Sequence, residues 1–276
     1  MQRTLVLFLS LWGLTASDSL SRTFAQMQYP LAVVAAEKGP VYVADRKLPG
    51  IWKITDGKAE VFFQGDKKFG TPLNAVRCLA FDAKGRLLAG DSATREVYRF
   101  DDKGIPTPLT EGKIGIPMAI AVNAKGEIFA ADLETQRIWR LESEGGQPKE
   151  FAVIAGVRGL AFDSKDRLIA VTNLAGQVLR FDAEGKSEIL VKGRPFPFPH
   201  HVAVGKDDTL YIADNYAGAI WKVAEGQPPE KFAEGAPLKK PVGIFRQGEK
   251  LLVADPHAKQ VFEVDTAGKV TPLLKN

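Results

Sequence analysis

The chain has 276 residues, 45% of them hydrophobic and 25% charged, which is typical of a globular protein long enough to bury a large core. The net charge of +4 is small for this length, and no run of lysine or arginine forms a basic tail. This balance argues against nucleic-acid binding, so no nucleic-acid partner is predicted. The single cysteine, Cys78, excludes an intramolecular disulfide, and its apolar surroundings predict a buried, inert thiol rather than a nucleophile.

An apolar run from Leu5 to Leu14 follows a basic N-terminus. The run is shorter than the roughly 20 residues that a membrane-spanning helix needs. It therefore predicts a secretory signal peptide within residues 1–25, cleaved after residue 16 or 17, or alternatively after residue 25. The mature chain is predicted to be secreted or periplasmic, without a transmembrane span.

A second interpretation of the N-terminus competes with late cleavage. The segment Thr23-Phe-Ala-Gln26 is similar to Lys231-Phe-Ala-Glu234, which ends an internal repeat. If residues 21–27 add an outer strand, cleavage must come earlier in the chain.

One pattern recurs six times: a short apolar strand ends in aspartate, or in threonine in the fourth copy, five residues follow, and a second strand begins. The residue that ends the first of these strands is, in turn, Asp45, Asp91, Asp132, Thr172, Asp214 and Asp255. The third unit contains four apolar runs, at residues 118–122, 128–131, 138–141 and 150–153, with glycine-containing turns between them. Such short runs with turn residues between them predict antiparallel hairpins, and no segment shows sustained helical periodicity.

Six units of four strands predict an all-β fold, a six-bladed β-propeller of four-stranded antiparallel blades, over residues 26–276. A single blade cannot bury both of its faces, and a linear stack would leave apolar faces open at its ends. A closed ring removes both problems. The domain is predicted to be a monomer.

The units resemble NHL repeats, over about residues 30–276. Two good copies of the pattern are Pro117-Met-Ala-Ile120 followed by Gly126–Asp132, and Pro241-Val-Gly-Ile244 followed by Leu251–Asp255. The units are also similar to the six-bladed group that includes SMP-30 and the gluconolactonases. The resemblance implies a propeller, and it leaves both a binding protein and an enzyme open as functions.

Connectivity assigns the loops to two faces. The turns after the first and third strands, such as Asp82–Gly85, are short and charged, and we expect little room for a site there. The opposite, loop-rich face collects the loops after each acidic residue and the connections between blades. Two of these connections are distinctive, Gln64–Asn74 and the proline-rich Gly193–His201. Variable loops on a rigid scaffold are where binding usually resides.

The five recurring aspartates are interpreted as turn residues whose carboxylates accept backbone N–H groups. A sharper position is the residue at the start of each inner strand, which should face the mouth of the central channel. In blade order these residues are Leu31, Arg77, Met118, Arg158, His200 and Val242. In the lactonase group, the resemblance implies acidic and amide residues at this position that hold a divalent metal. None of the six residues here offers such a ligand, so no metal and no cofactor are predicted.

Arg77, Arg158 and His200 are therefore the central candidates for ligand binding. Four further candidates in loops of the same face are Asn173, Asn215, Tyr216 and His257. Phe196 and Phe198 are expected to form an apolar rim. His200 and His201 should point to opposite faces of their blade, because side chains alternate along a strand. In an alternative interpretation, the two arginines pair with the recurring aspartates and close the channel.

These features favour a module that binds an anionic small molecule, an acidic sugar or a protein segment at the loop-rich face. The alternative is a hydrolase of the SMP-30/gluconolactonase type, or a propeller lyase, with His200 or His257 as the base. No serine–histidine–aspartate arrangement or phosphate-binding glycine loop stands out in the sequence. Whether the protein is an enzyme stays open at this level.

Overall fold

The computed structural model describes residues 27–37, 39–68 and 70–274 of the chain. The predicted signal peptide, and all but the last residue of the possible outer strand at residues 21–27, lie outside the described residues. Within the described ranges, no helix is long and apolar enough to cross a membrane.

Within the described residues, twenty-four strands form six four-stranded antiparallel sheets, each continuous in sequence, which confirms the predicted six-bladed propeller. The inner strands are β1 (Pro30–Ala35), β5 (Val76–Phe81), β9 (Pro117–Val122), β13 (Val157–Phe162), β17 (Pro199–Val204) and β21 (Gly243–Gln247). The second strands are β2 (Val41–Asp45), β6 (Leu87–Asp91), β10 (Ile128–Asp132), β14 (Leu168–Thr172), β18 (Leu210–Asp214) and β22 (Lys250–Asp255). The third strands are β3 (Gly50–Thr55), β7 (Glu96–Phe100), β11 (Arg137–Leu141), β15 (Val178–Phe181), β19 (Ala219–Val223) and β23 (Gln260–Val264). The outer strands are β4 (Lys58–Gln64), β8 (Pro106–Pro108), β12 (Lys149–Val153), β16 (Ser187–Val191), β20 (Glu230–Glu234) and β24 (Val270–Pro272).

The core lies between neighbouring blades. Between blades three and four, for example, the Phe129 ring meets Phe151 and Phe162 edge to face, with ring centroids 5.0 and 5.2 Å apart. Burying a side chain of this size stabilises the fold by roughly 1.5–3 kcal/mol. Each sheet therefore depends on the next for the burial of its faces, which is the physical basis of the ring.

The ring closes between blades one and six by side-chain packing. Val43 and Trp52 of blade one pack in one core cluster with Leu252 and Val261 of blade six. The last blade supplies its own outer strand, β24, so the described sheets share no strand across this junction. The junction thus resembles the other five contacts between blades.

Cys78 lies on β5 with 1% of its surface exposed, as predicted. Burial is the main cause that raises the pKa of its thiol to about 12. A thiol that stays protonated at neutral pH is a poor nucleophile, so the inert interpretation is confirmed.

Candidate functional site

The recurring aspartates are turn residues, as predicted. The carboxylate of Asp132 accepts backbone N–H groups from Gly115 and Ile116 before the inner strand, at 2.7 and 3.0 Å. It also accepts those of Glu134 and Thr135 in the following loop, at 3.0 and 3.1 Å. Burial alone would raise the pKa of Asp132, but hydrogen bonds from the Thr135 hydroxyl, from the N–H groups of Gly115 and Thr135 and from the Trp139 indole outweigh burial and lower it. The aspartate thereby fixes where the chain enters the inner strand.

The residue at the mouth of the channel sits on a β-bulge in five of the blades. In blade four, Val157 pairs with Thr172 and Gly159 with Val171, so Arg158 has no partner on β14. The same irregularity leaves four other residues without a partner: Leu31, Arg77, Met118 and His200. A bulge bends a strand and redirects a side chain. The bulge occurs at five of the six positions selected from the sequence. The sixth, Val242, precedes β21.

A close approach of two inner strands brings Arg158 beside His200. A Cβ atom on Gly159 would lie only 2.8 Å from the Cα of His201. Any larger residue would push β13 away from β17. The two bulge residues of blades four and five are therefore neighbours because the next residue of β13 is glycine.

The two mouth arginines are not paired with the recurring aspartates. Arg77 donates through Nε to Ser92 Oγ at 3.0 Å, and Arg158 makes no hydrogen bond or ion pair with any described residue. The alternative interpretation, in which these arginines close the channel through aspartate pairs, is therefore wrong. Its physical flaw is that the aspartates are already engaged by backbone N–H groups.

Arg158 is instead held by an aromatic side chain. Its guanidinium carbon lies 4.7 Å from the centroid of the Phe198 ring, and Phe198 stacks on Tyr216 with centroids 4.7 Å apart. The Nζ atom of Lys240 lies 5.7 Å from the Tyr216 centroid. Burial, followed by the charge of Arg77, lowers the pKa of Arg158. The Nε–H of Arg158 is buried without an acceptor, which is unusual for a charged donor.

His200 is half-buried next to this cluster, with its ring centroid 6.4 Å from that of Phe198. Burial and the positive charge of Arg158 lower the pKa of His200 to about 3. The imidazole is therefore neutral at neutral pH. His201 lines the central cavity, and its charge contributes to the lowered pKa of His200. That the two side chains point to opposite faces of the blade stays a prediction.

The other candidates lie on the same face but are not all part of this cluster. Tyr216 is, through Phe198. Asn215 uses its amide on the carbonyl of Lys240 at 3.4 Å, and exposed His257 lies near Tyr29, with ring centroids 6.4 Å apart. Asn173 accepts a hydrogen bond from Arg194 through its main-chain oxygen, while its buried side-chain Oδ1 has no partner.

The expected aromatic rim is only half correct. Phe196 is 1% exposed and belongs to the core, where it meets Trp221 with centroids 5.6 Å apart. The buried side chain of Gln177 fixes the main chain of Phe196. It donates to the Phe196 carbonyl at 2.7 Å and accepts from the Phe196 N–H at 3.0 Å. Phe198 alone stays at the mouth.

Unpaired polar atoms concentrate in blades four and five. Of five buried side-chain atoms without a hydrogen-bond partner among the described residues, four lie there. They are Arg158 Nε, Asn173 Oδ1, Asp214 Oδ2 and Trp221 Nε1. Native proteins satisfy nearly all buried polar groups, so such a cluster marks a functional candidate rather than ordinary scaffold.

The expectation that the turn face has little room is wrong. A cavity of about 390 Å³ lies between the later residues of the inner strands, including Phe81, Phe162 and Arg246. A second, of about 290 Å³, lies between turns of blades five and six, beside Lys206 and Glu249. The central space follows from the width of a closed six-bladed ring, which no local turn pattern reveals.

Sequence reasoning missed a cationic cavity of about 770 Å³ on the loop-rich face. Its charged lining residues are Arg46, Lys47, Lys67, Arg77, Arg95 and Glu134. Arg46 and Lys47 directly follow the aspartate of blade one, so their position in the first loop of this face was a readable signal. Their placement beside Lys67 and Arg95 in one cavity depends on how blades one and two are arranged.

The divalent metal of the lactonase group does not fit the mouth of this channel. The six mouth positions present two guanidinium groups and no carboxylate or amide, whereas such ions need several oxygen ligands. Within the described residues, no three side chains of histidine, cysteine, aspartate or glutamate are grouped to hold a metal.

The fold is similar to several solved propellers. Virginiamycin B lyase from Staphylococcus aureus has 20% identity and a TM-score of 0.69, covering 91% of this chain and 86% of that one. It was also solved with quinupristin, as a catalytically inactive histidine-to-alanine variant. A gluconolactonase from Xanthomonas campestris has 16% identity and a TM-score of 0.71, covering 84% and 85%. A chain of a nidogen/laminin complex has 19% identity and a TM-score of 0.71, covering 83% and 91%.

A search of curated proteins gave no significant match. The model of the SMP-30/gluconolactonase/LRE-like region matches residues 9–213, about three quarters of the sequence. The predicted relation to the SMP-30/gluconolactonase group is thereby confirmed, while the narrower NHL assignment stays a prediction. The chain belongs to the SMP-30/gluconolactonase/LRE-like family.

Proposed function

We propose that this propeller binds an anionic small molecule, such as a sugar acid, at the mouth formed by Arg77, Arg158 and His200. The observation that carries the proposal is the buried Nε–H of Arg158, which has no acceptor and no carboxylate partner. A carboxylate of a ligand would accept this hydrogen bond and offset the repulsion between the two arginines. Phe198 holds the guanidinium in place before the ligand arrives.

The test is calorimetric titration with glucuronate, and with glucose as the uncharged control. We expect glucuronate to bind and glucose not to bind. Arg158→Gln should weaken glucuronate at least about tenfold, because a charge-assisted hydrogen bond contributes about 1.5–3 kcal/mol. Arg140→Gln, a matched change on β11 away from the mouth, should leave the affinity unchanged. Binding that survives Arg158→Gln, or no binding of glucuronate at all, would refute the proposal.

A second candidate function is a lyase or hydrolase that uses the same mouth. It is favoured by His200, a neutral imidazole beside two cations that suit a substrate carboxylate. His200 would take a proton from the carbon next to that carboxylate, while the C–H electron pair expels the leaving group from the neighbouring carbon. The substrate's charge would offset that of Arg158 and raise the pKa of His200, which makes it a better base. The inactive histidine variant of the virginiamycin B lyase lends this route support by analogy.

Turnover separates the two functions. An enzyme should convert members of a panel of lactones and of carboxylates with a β-leaving group, and His200→Ala and Arg158→Ala should abolish that conversion. Unchanged rates in both variants would dismiss this site as catalytic. Absence of turnover together with glucuronate binding would leave the binding function.

Export is part of the proposal. It rests on the apolar run of residues 5–14, which is too short to span a bilayer as a helix. Expression of the full chain, followed by N-terminal sequencing of the product, should give a mature protein that starts after residue 16 or 17, or after residue 25. An intact N-terminus in the cytosolic fraction would refute export.

A further inference from the structure

The cationic cavity of the loop-rich face is lined by more cations than its one carboxylate can pair with. Five cations and one carboxylate line it, and the carboxylate of Glu134 already pairs with Arg95 at 2.6 Å. The remaining four, Arg46, Lys47, Lys67 and Arg77, form no ion pair with any described residue. Burial and then the charge of Arg46 lower the pKa of Arg77, and the opposing charge of nearby Asp91 does not outweigh them.

The cavity and the proposed site share Arg77. This side chain lines the cavity, and its charge also lowers the pKa of both Arg158 and His200. A ligand held at Arg158 can therefore extend past Arg77 towards Arg46. The volume of about 770 Å³ is within the range of about 300–1,000 Å³ common for ligand sites, and it exceeds what one sugar acid needs.

The other end of the mouth offers an aromatic surface. Tyr216 is 66% exposed and stacks on Phe198, so its ring is held in place before any ligand binds. An exposed aromatic ring suits the flat C–H face of a pyranose. Several cations without an ion pair on one side and an exposed aromatic ring on the other match a chain of sugar rings that each carry a carboxylate better than they match an acidic peptide.

We propose that the ligand of this face is an acidic oligosaccharide, with one uronate at Arg158 and the following uronates in the cavity lined by Arg46, Lys47 and Lys67. The inference rests on the proposed function, because it names the ligand class of the same site. Each further carboxylate meets a cation that has no other partner, so affinity rises with the number of linked units.

The test compares galacturonate with tetragalacturonate by calorimetric titration at fixed ionic strength, since salt screens exposed charges. We expect the tetramer to bind at least about tenfold more tightly than the monomer. In the double variant Arg46→Gln/Lys47→Gln, the ratio of the two affinities should fall close to one. Lys125→Gln/Lys165→Gln, which removes the same charge from the turn face, should leave the ratio as in the wild type. Maltotetraose, which is uncharged, should not bind.

The outcomes separate this inference from the proposed function. If the monomer binds but the tetramer gains nothing, or if the gain survives in the Arg46/Lys47 variant, the oligosaccharide inference is overturned and the anion site stands. If a tetraglutamate peptide gains as much as tetragalacturonate, the cavity serves acidic peptides and the inference is also overturned. If the tetramer binds with its full gain while Arg158→Gln weakens neither ligand, the cavity is supported and the mouth proposal fails. If neither uronate binds, both are refuted.

Discussion

The indole Nε1 of Trp139 donates a 2.9 Å hydrogen bond to Oδ2 of Asp132, whereas the equivalent pair in blade five, Trp221 and Asp214, is not bonded. Both pairs are seven residues apart in sequence and occupy the same places in their blades. In blade five, the indole Nε1 and the carboxylate Oδ2 are both buried and both unpaired. The edge-to-face packing of Phe196 on Trp221 accompanies this difference.

This contrast predicts unequal costs for the same substitution. Trp139→Phe should lower the free energy of unfolding by about 1 kcal/mol more than Trp221→Phe does, because only the first change removes a hydrogen bond. Urea unfolding of both variants measures the difference. Trp52→Phe, which removes a 3.2 Å bond to Asp45, should behave like Trp139→Phe. Equal losses in blades three and five would contradict the structure.

The unpaired Arg158 predicts a conflict between binding and stability. Arg158→Met keeps the packing on Phe198 but removes a buried charge and an unsatisfied donor, so the free energy of unfolding should rise by about 1 kcal/mol. Arg180→Met is the control, since Arg180 pairs with Glu188 and Glu225 at 2.6 and 3.0 Å and its removal should be neutral or slightly destabilising. A loss of stability in Arg158→Met as large as in Arg180→Met would show that the guanidinium is satisfied.

Stability should fall as the pH falls from about 6.5 towards about 3. Burial lowers the pKa of His200 to about 3 and that of His201 to about 4, from an ordinary value of 6.5, and the charges of Arg158 and Arg77 contribute at His200. Between these values the unfolded chain binds protons that the folded chain does not, so acid favours unfolding.

The contribution of His200 can be isolated by denaturant unfolding at about pH 7.5 and about pH 5.0. His200→Gln should lose less stability between the two conditions than the wild type does. His257→Gln, at an exposed position, should lose as much as the wild type. If His200→Gln loses as much stability between the two pH values as the wild type does, this histidine is free to ionise in the folded state.

The loop that carries Phe198 depends on Gln177. Gln177→Leu removes two hydrogen bonds to the main chain of Phe196 and should cost about 2 kcal/mol. It should also speed proteolytic cleavage within residues 193–198, because that segment loses its anchor. Gln260→Leu, the same change in blade six, should leave cleavage of residues 193–198 as it is in the wild type. Unchanged cleavage in Gln177→Leu would show that other contacts hold the loop.

The blades were readable from sequence because the information is local. In blade three, the predicted strand limits differ from the observed ones by one residue at most, since alternation and turn glycines act within a hairpin. The six mouth positions were selected by counting, because each holds the same place in its repeat, and the structure puts a bulge at five of them. Their partners could not be found in this way. Asp91 forms no ion pair with Arg77 because it accepts backbone N–H groups of Leu73 and Ala75, which lie 18 and 16 residues away in sequence.

The same limit explains Phe196 and the cationic cavity. Phe196 looked like a rim residue because a proline-rich loop is normally exposed. The buried amide of Gln177 on the preceding blade holds it inside. Lys67 and Arg95 line one cavity with Arg46 only because loops of blades one and two and the connection between these blades converge at one edge of the ring.

The mouth residues have a mechanical consequence, because the blade of Arg77 does not pack against the blades of Arg158 and His200. Arg77, Arg158 and His200 belong to blades two, four and five, while each blade packs only against its two neighbours. A ligand that contacts all three is a brace across the ring. While the ligand is bound, none of these three blades can open without losing it. Ligand binding would therefore make the blades unfold as one cooperative unit.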